Sequence, residues 1–416
     1  MKKNVIVIGG GIIGLCTAYF LRKEGHGVTV IDSSGMTEGA SYVNAGYLTP
    51  SHIIPLAAPG VITQGLKWMF NAASPFYMKP RFDPEFFKWA WYFKRSSTEA
   101  GVQKAIPLIK DLNLLSMALY KEMHETEALG PFHLEHKGVL MLYKTGKAEE
   151  KELKVAMLAE REGLETEVLT AAALKEIEPS VHPEVKGAIN YKCDAHTTPN
   201  RIMEKLKKYL AAQEVVFKPN EAVVRLKKCG HSVTGVVTDK ADYTADEVVV
   251  AAGSWTPGIV RTVGISLPLQ AGKGYRINVE RLLPIRFPAI LAEAKVAVTP
   301  MEGFTRFAGT MEFSGINHRI RKERVRAIAG AASSYYEGLA ITEEEMNGAR
   351  CGLRPVSPDG LPYIGRTSKA ERLTIATGHA MMGWSLGPVT GKLVAEIVSG
   401  KKTSLDITAY HPERRF

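Results

Sequence analysis

Residues 5–21 constrain this chain more than any other stretch. Val5-Ile6-Val7-Ile8 is a β-branched run that reads as a buried strand. It passes directly into Gly9-Gly10-Gly11-Ile12-Ile13-Gly14 and then into Leu15-Cys16-Thr17-Ala18-Tyr19-Phe20-Leu21, which reads as a helix. This is G-x-G-x-x-G in the strand–turn–helix context that gives the motif meaning. Gly9 allows the tight turn, Gly11 lets backbone approach a pyrophosphate, and Gly14 lets the helix pack close on the strand. The helix N-terminus, with Ile12 and Ile13 in its first turn, offers free N–H groups and a positive dipole end. A second strand, Val28-Thr29-Val30-Ile31, ends at Asp32, followed by Ser33. An acid roughly 20 residues beyond the glycines is placed to accept a ribose hydroxyl.

The fingerprint alone does not separate NAD from FAD. A second segment, Thr244-Ala245-Asp246-Glu247-Val248-Val249-Val250-Ala251-Ala252-Gly253-Ser254-Trp255, reads as a buried strand ending in a small-residue turn. Such a strand returns beside the cofactor in two-domain flavoproteins, where Ala252, Gly253 and Trp255 would approach it. Glu221 to Leu226 looks like the strand whose backbone, around Val223, holds the adenine. No second G-x-G-x-x-G stands in strand–helix context, so there is one dinucleotide site, and electrons would enter from an organic substrate. These features select FAD.

At 416 residues the chain can build two cores. Its four cysteines, Cys16, Cys193, Cys229 and Cys351, are scattered, which argues against a metal site or disulfide framework and fits a reducing compartment. The start, Met1-Lys2-Lys3 and an apolar run, imitates an export signal, but glycines interrupt it and no small-residue cleavage site follows. A cytoplasmic protein is expected, with peripheral contact to the inner face of the cell membrane left open. No apolar stretch approaches the ~18 residues of a membrane span. The net charge of +10 comes without a basic helix or aromatic platform specific for nucleic acid. It fits an anionic membrane or substrate, or equally a diffusely basic surface.

The C-terminal region carries a resemblance. Cys351-Gly352-Leu353-Arg354-Pro355-Val356-Ser357-Pro358-Asp359-Gly360-Leu361-Pro362-Tyr363-Ile364-Gly365 is followed by Leu373 to Thr377, Gly378-His379, and Gly383-Trp384-Ser385-Leu386-Gly387-Pro388. This resembles the D-amino-acid oxidase superfamily of FAD enzymes, with G-x-R-P-x-x-x-D-G-x-P-x-I-G, a strand, G-H and a final glycine-bearing helix. The bacterial D-amino-acid dehydrogenase branch is the nearest match. It shares Ser41-Tyr42-Val43-Asn44-Ala45-Gly46, Ala57-Ala58-Pro59-Gly60, Lys67-Trp68-Met69-Phe70, Lys273-Gly274-Tyr275 and the strands around Val298-Thr299 and Arg306 to Glu312. One departure is Thr49-Pro50-Ser51-His52, where that branch has Ser-Pro-Gly-Tyr; this bears on substrate preference.

The resemblance implies an α/β fold in which a Rossmann-like FAD-binding domain (1–50, 150–260 and 345–416) is interleaved with an α+β substrate domain (51–149 and 261–344) on a mostly antiparallel sheet. It implies non-covalent FAD, contacted further by Ser41, Asn44, Ala45, Gly46, Gly352, Gly378, His379, Gly383, Trp384 and Ser385. Arg354 takes the position of the superfamily's carboxylate-binding arginine and is expected both to bind substrate and to contact the flavin. A planar guanidinium grips a carboxylate with two parallel hydrogen bonds. Tyr275 is expected to add a hydroxyl to that carboxylate, and His52, Met381, Met382 and Trp384 to shape the pocket. His379 is expected as a turn histidine hydrogen-bonded to backbone rather than a base. The implied reaction is oxidation of a D-amino acid, cyclic imino acids such as D-proline or hydroxy-D-proline included, with electrons passed to a quinone or another acceptor. A glycine or sarcosine oxidase-type enzyme using oxygen, and the flavoprotein subunit of a hetero-oligomeric amine dehydrogenase, are the alternatives. The aromatic and basic run Phe86 to Arg95, with Trp68-Met69-Phe70, reads either as a membrane contact or as a cap-domain helix with exposed lysines.

Overall fold

The β-branched run and its glycine turn form the centre of a parallel sheet. In the computed structural model, which describes residues 1–60, 74–79, 81–126 and 129–416, strand Asn4–Ile8 lies between Gly27–Ile31 and Glu247–Val250, parallel to both. Val216–Lys218 and Ala370–Thr377 extend this sheet on either side. Ser232–Thr238 and Val223–Cys229 add an antiparallel pair at one edge. Val5 to Ile8 and Val248 to Val250 are buried, as strands covered on both faces must be, which is why they read as unbroken apolar runs. Helix Ile12–Lys23 packs against helix Gly387–Ser399 at van der Waals limits. A Cβ on Gly391 would stand 2.5 Å from the Cys16 carbonyl, and one on Gly387 would stand 2.7 Å from Ile12 Cγ1. That backbone-to-backbone crossing brings the starts of both helices to the same end of the sheet.

A second sheet runs in the order Arg350–Val356, Gln270–Val279, Phe304–Phe313, Val296–Met301, Ala289–Leu291, Val139–Tyr143, Gly187–Tyr191 and Thr166–Thr170. It is antiparallel except where Ala289–Leu291 meets Val139–Tyr143 and Phe76–Met78 meets Phe304–Phe313. Helix Lys322–Tyr335 covers one face, burying Ile277, Phe307, Val325 and Ile328 in a common core. The other face turns toward the dinucleotide half. A small sheet of Tyr47–Leu48, Ala195–Thr197 and Leu134–Glu135 ties the halves together. The molecule is thus an α/β, Rossmann-like unit joined to a unit on a mostly antiparallel sheet.

The crossings between the halves differ from the expected boundaries. Strands Thr166–Thr170, Gly187–Tyr191 and Arg350–Val356 fall within the segments expected in the FAD half, yet all three pair in the second sheet. Helix Glu99–Glu125 lies in a segment expected in the substrate half. Its Ile109, Leu112, Leu119 and Tyr120 instead share a core with Leu393 and Val394 of the last helix. Amphipathic segments carry no address for the partner that buries them.

Residues 67–70 lie outside the described residues. Pro84–Ser96 is a helix capped by Asp83. Its Trp89 and Phe93 are buried, with Trp89 Nε1 donating to Val356 O at 2.9 Å. Phe82, Phe87 and Trp91 face outward beside Lys88, Lys94 and Arg95. Among the described residues no helix is long and apolar enough to cross a membrane.

Candidate active site

Between the two sheets lies a cavity of about 1030 Å³, at the upper end of the roughly 300–1,000 Å³ usual for small-molecule sites. Gly9, Gly11, Ile12, Ile13, Asp32 and Ser33 line one end, and Val223 with its neighbours Glu221 and Ala222 closes it. Gly9 adopts φ +107, and a Cβ there would come within 2.5 Å of the Ala251 carbonyl; one on Gly14 would be 1.8 Å from Gly9 O. The turn is therefore open only to glycine at these two positions. Gly11 supplies no capping side chain to the helix, so Ser41 Oγ accepts from Ile12 N at 2.9 Å. Asp32 accepts from Gly10 N at 2.6 Å and from Ser34 N and Oγ, both at 2.7 Å. A carboxylate has about four acceptor positions, so one remains for a ribose hydroxyl.

Small residues also line other parts of the wall. Ala252, Gly253, Gly352 and Gly383 face the cavity, and a Cβ on Gly352 would strike Val43 Cγ2 at 2.4 Å. Trp255 lines the rim, its ring stacked on His318. Asn44 lines the cavity, and its loop is clamped by carbonyl contacts. Arg306 Nη1 donates to Asn44 O at 2.6 Å, Thr299 Oγ1 to Ala45 O at 2.8 Å, and Thr197 N and Oγ1 both to Gly46 O at 2.8 Å. The glycine cradle, the spare acceptor of Asp32 and the size of the cavity fit FAD.

Arg354 stands at the far end. Its strand pairs with Gln270–Val279 so that Gly272 opposes Arg354 and Gly274 opposes Gly352. A Cβ on Gly274 would lie 2.1 Å from Arg354 Nη1, so the guanidinium rests on bare backbone. Opposite Gly274 the ladder shifts register: Lys273 pairs with Glu312 but Tyr275 with Gly309. The extra residue falls at Thr310, which takes φ +68 and accepts from Arg354 Nη1 at 2.8 Å. Such bulges re-aim groups beside active sites. Enclosure lowers the Arg354 pKa to about 10, so it stays charged at neutral pH. Among the described residues no carboxylate pairs with it, nor with Arg276 or Arg350, which also line the cavity. A guanidinium has five donors, and the rest of Arg354's are left for an anionic ligand.

His379 lines the same end, fully buried, with Nε2 2.9 Å from Thr390 Oγ1. Burial lowers its pKa to about 3, so the ring is neutral and its partner is a hydroxyl rather than backbone. Trp384 lines the wall, with Nε1 donating to Thr197 Oγ1 at 2.9 Å.

Several expected residues lie elsewhere. Tyr275 is on the opposite face of its strand, 1 % exposed, donating to Glu312 Oε2 at 2.7 Å. Alternation along a strand puts Gly272, Gly274 and Arg276 toward the cavity and Tyr275 into the other core. Met382 is buried in the core of the dinucleotide half, while Met381 lines the cavity. His52 does not line it; it closes the Thr49-Pro50-Ser51 turn, its N donating to Thr49 O at 3.1 Å, and its pKa is lowered by burial and then by Lys295. Ser51 of that turn is fixed by Asp194, which accepts from its N at 3.0 Å and its Oγ at 2.6 Å. Ser385 does not line the cavity either, donating instead to Asn113 Oδ1 at 2.6 Å. Gly14, Ala45, Gly46 and Gly378 stand behind its wall and permit close packing; a Cβ on Gly378 would meet the Tyr363 ring at 2.8 Å. Arg276, Arg350, His318, Thr310 and the clamp of Arg306, Thr299 and Thr197 were not anticipated. The Gly272-x-Gly274 alternation was the available signal for Arg276, because it marks the crowded face.

A family profile described as FAD dependent oxidoreductase (DAO) matches residues 4–397. The chain belongs to this family. It is therefore an FAD-dependent oxidoreductase, and FAD is its cofactor. It is 31% identical over 417 residues to a D-amino acid dehydrogenase of Allorhizobium ampelinum, covering 97% of this chain and 96% of that one. It is 29% identical over 402 residues to a D-amino acid dehydrogenase of Helicobacter pylori, with 95% of each covered. Among solved structures, glycine oxidase from Geobacillus kaustophilus superposes with a TM-score of 0.78 at 21% identity, covering 100% of this chain and 99% of that one. L-proline dehydrogenase from P. horikoshii gives 0.74 at 20% identity, covering 99% and 97%. These structural likenesses concern the fold.

Proposed function

We propose that the protein oxidises D-amino acids, including cyclic imino acids such as D-proline, and passes the electrons to a quinone or similar acceptor. The observation that carries this reading is Arg354, a cavity-facing guanidinium with no carboxylate partner among the described residues, held on the glycine face of a strand by the Thr310 carbonyl. The names of the relatives support the same substrate class.

Arg354 would take the substrate carboxylate with two parallel hydrogen bonds, fixing the Cα within the cavity. Bound FAD supplies the hydride acceptor. Gly274 keeps the guanidinium in place by leaving room for it. His379, its pKa lowered to about 3 by burial and its Nε2 bonded to Thr390, is too weak a base to serve as the amine's proton acceptor. Gly352, Leu353, Pro355, Ala380 and Met381 around Arg354 bring no carboxylate, which suits a reaction that asks only for a neutral amine. That amine's Cα–H leaves as hydride, and the resulting imine takes up water to give a 2-oxo acid and ammonia; a cyclic substrate stops at the imine. Cys351 Sγ is directed at His318 O and His379 Nε2 at Thr390, so we infer that FAD is held without a covalent bond. The outward Phe82, Phe87 and Trp91 with Lys88 and Lys94 would rest on an anionic membrane surface close to a quinone pool.

Turnover of D-alanine and D-proline, followed in parallel by dye reduction and by peroxide release, tests the reading. Dye reduction without matching peroxide is expected. Stoichiometric peroxide would make the enzyme an oxidase, and no turnover of any D-amino acid would refute the substrate class. Sedimentation with anionic vesicles at low salt should retain the protein, and its absence from the pellet would remove the membrane contact.

A further inference from the structure

Beyond the Asn44-Ala45-Gly46 loop, the small three-stranded sheet gathers three ligand-type side chains that the redox site does not use. Glu135 and His196 are directly opposed on antiparallel strands, and His133 precedes the first of these strands. His133 Nε2 lies 3.1 Å from Glu135 Oε1, His196 Nε2 lies 3.9 Å from Glu135 Oε2, and one ligating atom from each residue falls within 4.8 Å of the other two. Four ligands at ordinary zinc distances around a tetrahedron stand about 3.3 Å apart, so a small inward movement would close the set.

His196 is the anomaly. It is 1% exposed, and neither ring nitrogen has a hydrogen-bond partner. The Pro300 carbonyl is near but outside hydrogen-bonding geometry. The ring therefore keeps a bare lone pair in the interior. Buried polar atoms are rarely left unpaired. A metal ion bound to that lone pair would resolve the mismatch.

The surroundings agree. Thr198 Oγ1 lies 2.8 Å from His133 Nδ1, the kind of outer partner that fixes a ligating imidazole with Nε2 free for metal. Lys137 Nζ is 2.6 Å from Glu135 Oε2; it occupies that oxygen and leaves Oε1 for the ion. His133 also borders a second cavity of about 620 Å³, through which an ion and a water ligand would enter.

We propose that His133, Glu135 and His196 bind one divalent transition-metal ion, Zn2+ being the best match to two imidazoles, one carboxylate and a water. Its effect would be to fix the strand that holds the Asn44-Ala45-Gly46 loop. Thr197, adjacent to His196, holds the Gly46 carbonyl and the Trp384 indole. Zn2+ would raise the melting temperature and slow loss of flavin without taking part in the redox step.

The test is calorimetric titration of Zn2+ into untagged, chelator-treated holoprotein, with metal analysis after gel filtration. Glu135→Gln and His133→Ala are run alongside, and flavin absorbance verifies that each variant is folded. One equivalent of Zn2+ is expected, bound at least tenfold more weakly by both variants, with a rise in melting temperature that the variants lack. Absence of binding, or binding unchanged in the folded variants, would overturn the proposal. His133 is only partly buried and Glu135 is half-exposed, so these substitutions leave the fold intact even if His196 variants do not.

Discussion

At the scale of single residues, function rests on what small side chains leave vacant. Gly274 is the sharpest case, because an added methyl would stand 2.1 Å from Arg354 Nη1 and 2.3 Å from its Cζ. The atoms that must give way are the end of a flexible side chain, so Gly274→Ala displaces the guanidinium and spares the fold. Losing one charged hydrogen bond of about 1.5–3 kcal/mol corresponds to a KM raised roughly 10- to 100-fold. The flavin spectrum and melting temperature should stay near those of the native protein; steady-state kinetics beside thermal denaturation will check this. Asp194 offers a second residue-level prediction. Burial raises its pKa from the ordinary 3.8 to about 7, outweighing the bonds from Ser51. The folded state then holds the proton more firmly than the unfolded chain, so the cost of ionising it is absent below about pH 4 and complete above about pH 7. Asp194→Asn keeps an acceptor for Ser51 and should stabilise the protein increasingly from pH 4 to pH 8. A melting-temperature difference that does not vary with pH would contradict the assigned shift.

At the scale of elements, the two helix starts meet because glycines let helices Ile12–Lys23 and Gly387–Ser399 touch backbone to backbone. Gly391→Ala would press a methyl to within 2.5 Å of the Cys16 carbonyl. Rigid backbone cannot yield as a side chain does, and overpacking of this kind costs about 1–3 kcal/mol. The denaturation midpoint should fall by that equivalent and FAD affinity should weaken with it, measured by chemical unfolding and by fluorescence titration. Elements were also where the sequence was most readable. The strand, turn and helix of residues 4–23 are contiguous, so glycine spacing defines them without knowledge of anything distant. The place of Arg354 on the cavity wall was readable because its motif is local. Tyr275 was not placed correctly because a motif names a residue without fixing which face of a strand it occupies, and a one-residue shift exchanges the faces. Met381 and Met382 sit in an irregular turn, where no period decides between them. The clamp on Asn44-Ala45-Gly46 comes from residues about 150 to 260 positions downstream, and nothing local announces it.

At the scale of the whole molecule, the chain crosses between its two sheets several times, and the cavity exists only where they face each other. Arg350–Val356 illustrates the consequence. It follows the segment expected to end the substrate half, joins the second sheet, and so puts Arg354 on the wall opposite the glycine cradle. Edge strands such as Thr166–Thr170, largely exposed and polar, carry too little pattern to reveal this crossing from sequence. The positive charge of the chain also gains a location at this scale. Arg276, Arg350 and Arg354 face one cavity, where anionic cofactor and substrate groups would balance them.

We propose that Arg354 aligns an amino acid carboxylate against bound FAD. The most direct test is anaerobic reduction of the flavin by D-alanine or D-proline, followed by absorbance in the native enzyme and in Arg354→Met. The native flavin should bleach at saturable substrate concentration, and the variant, equally yellow at the start, should need a concentration higher by about two orders of magnitude, the loss of two charged hydrogen bonds at about 1.5 kcal/mol each. Bleaching of the variant with unchanged concentration dependence would contradict it.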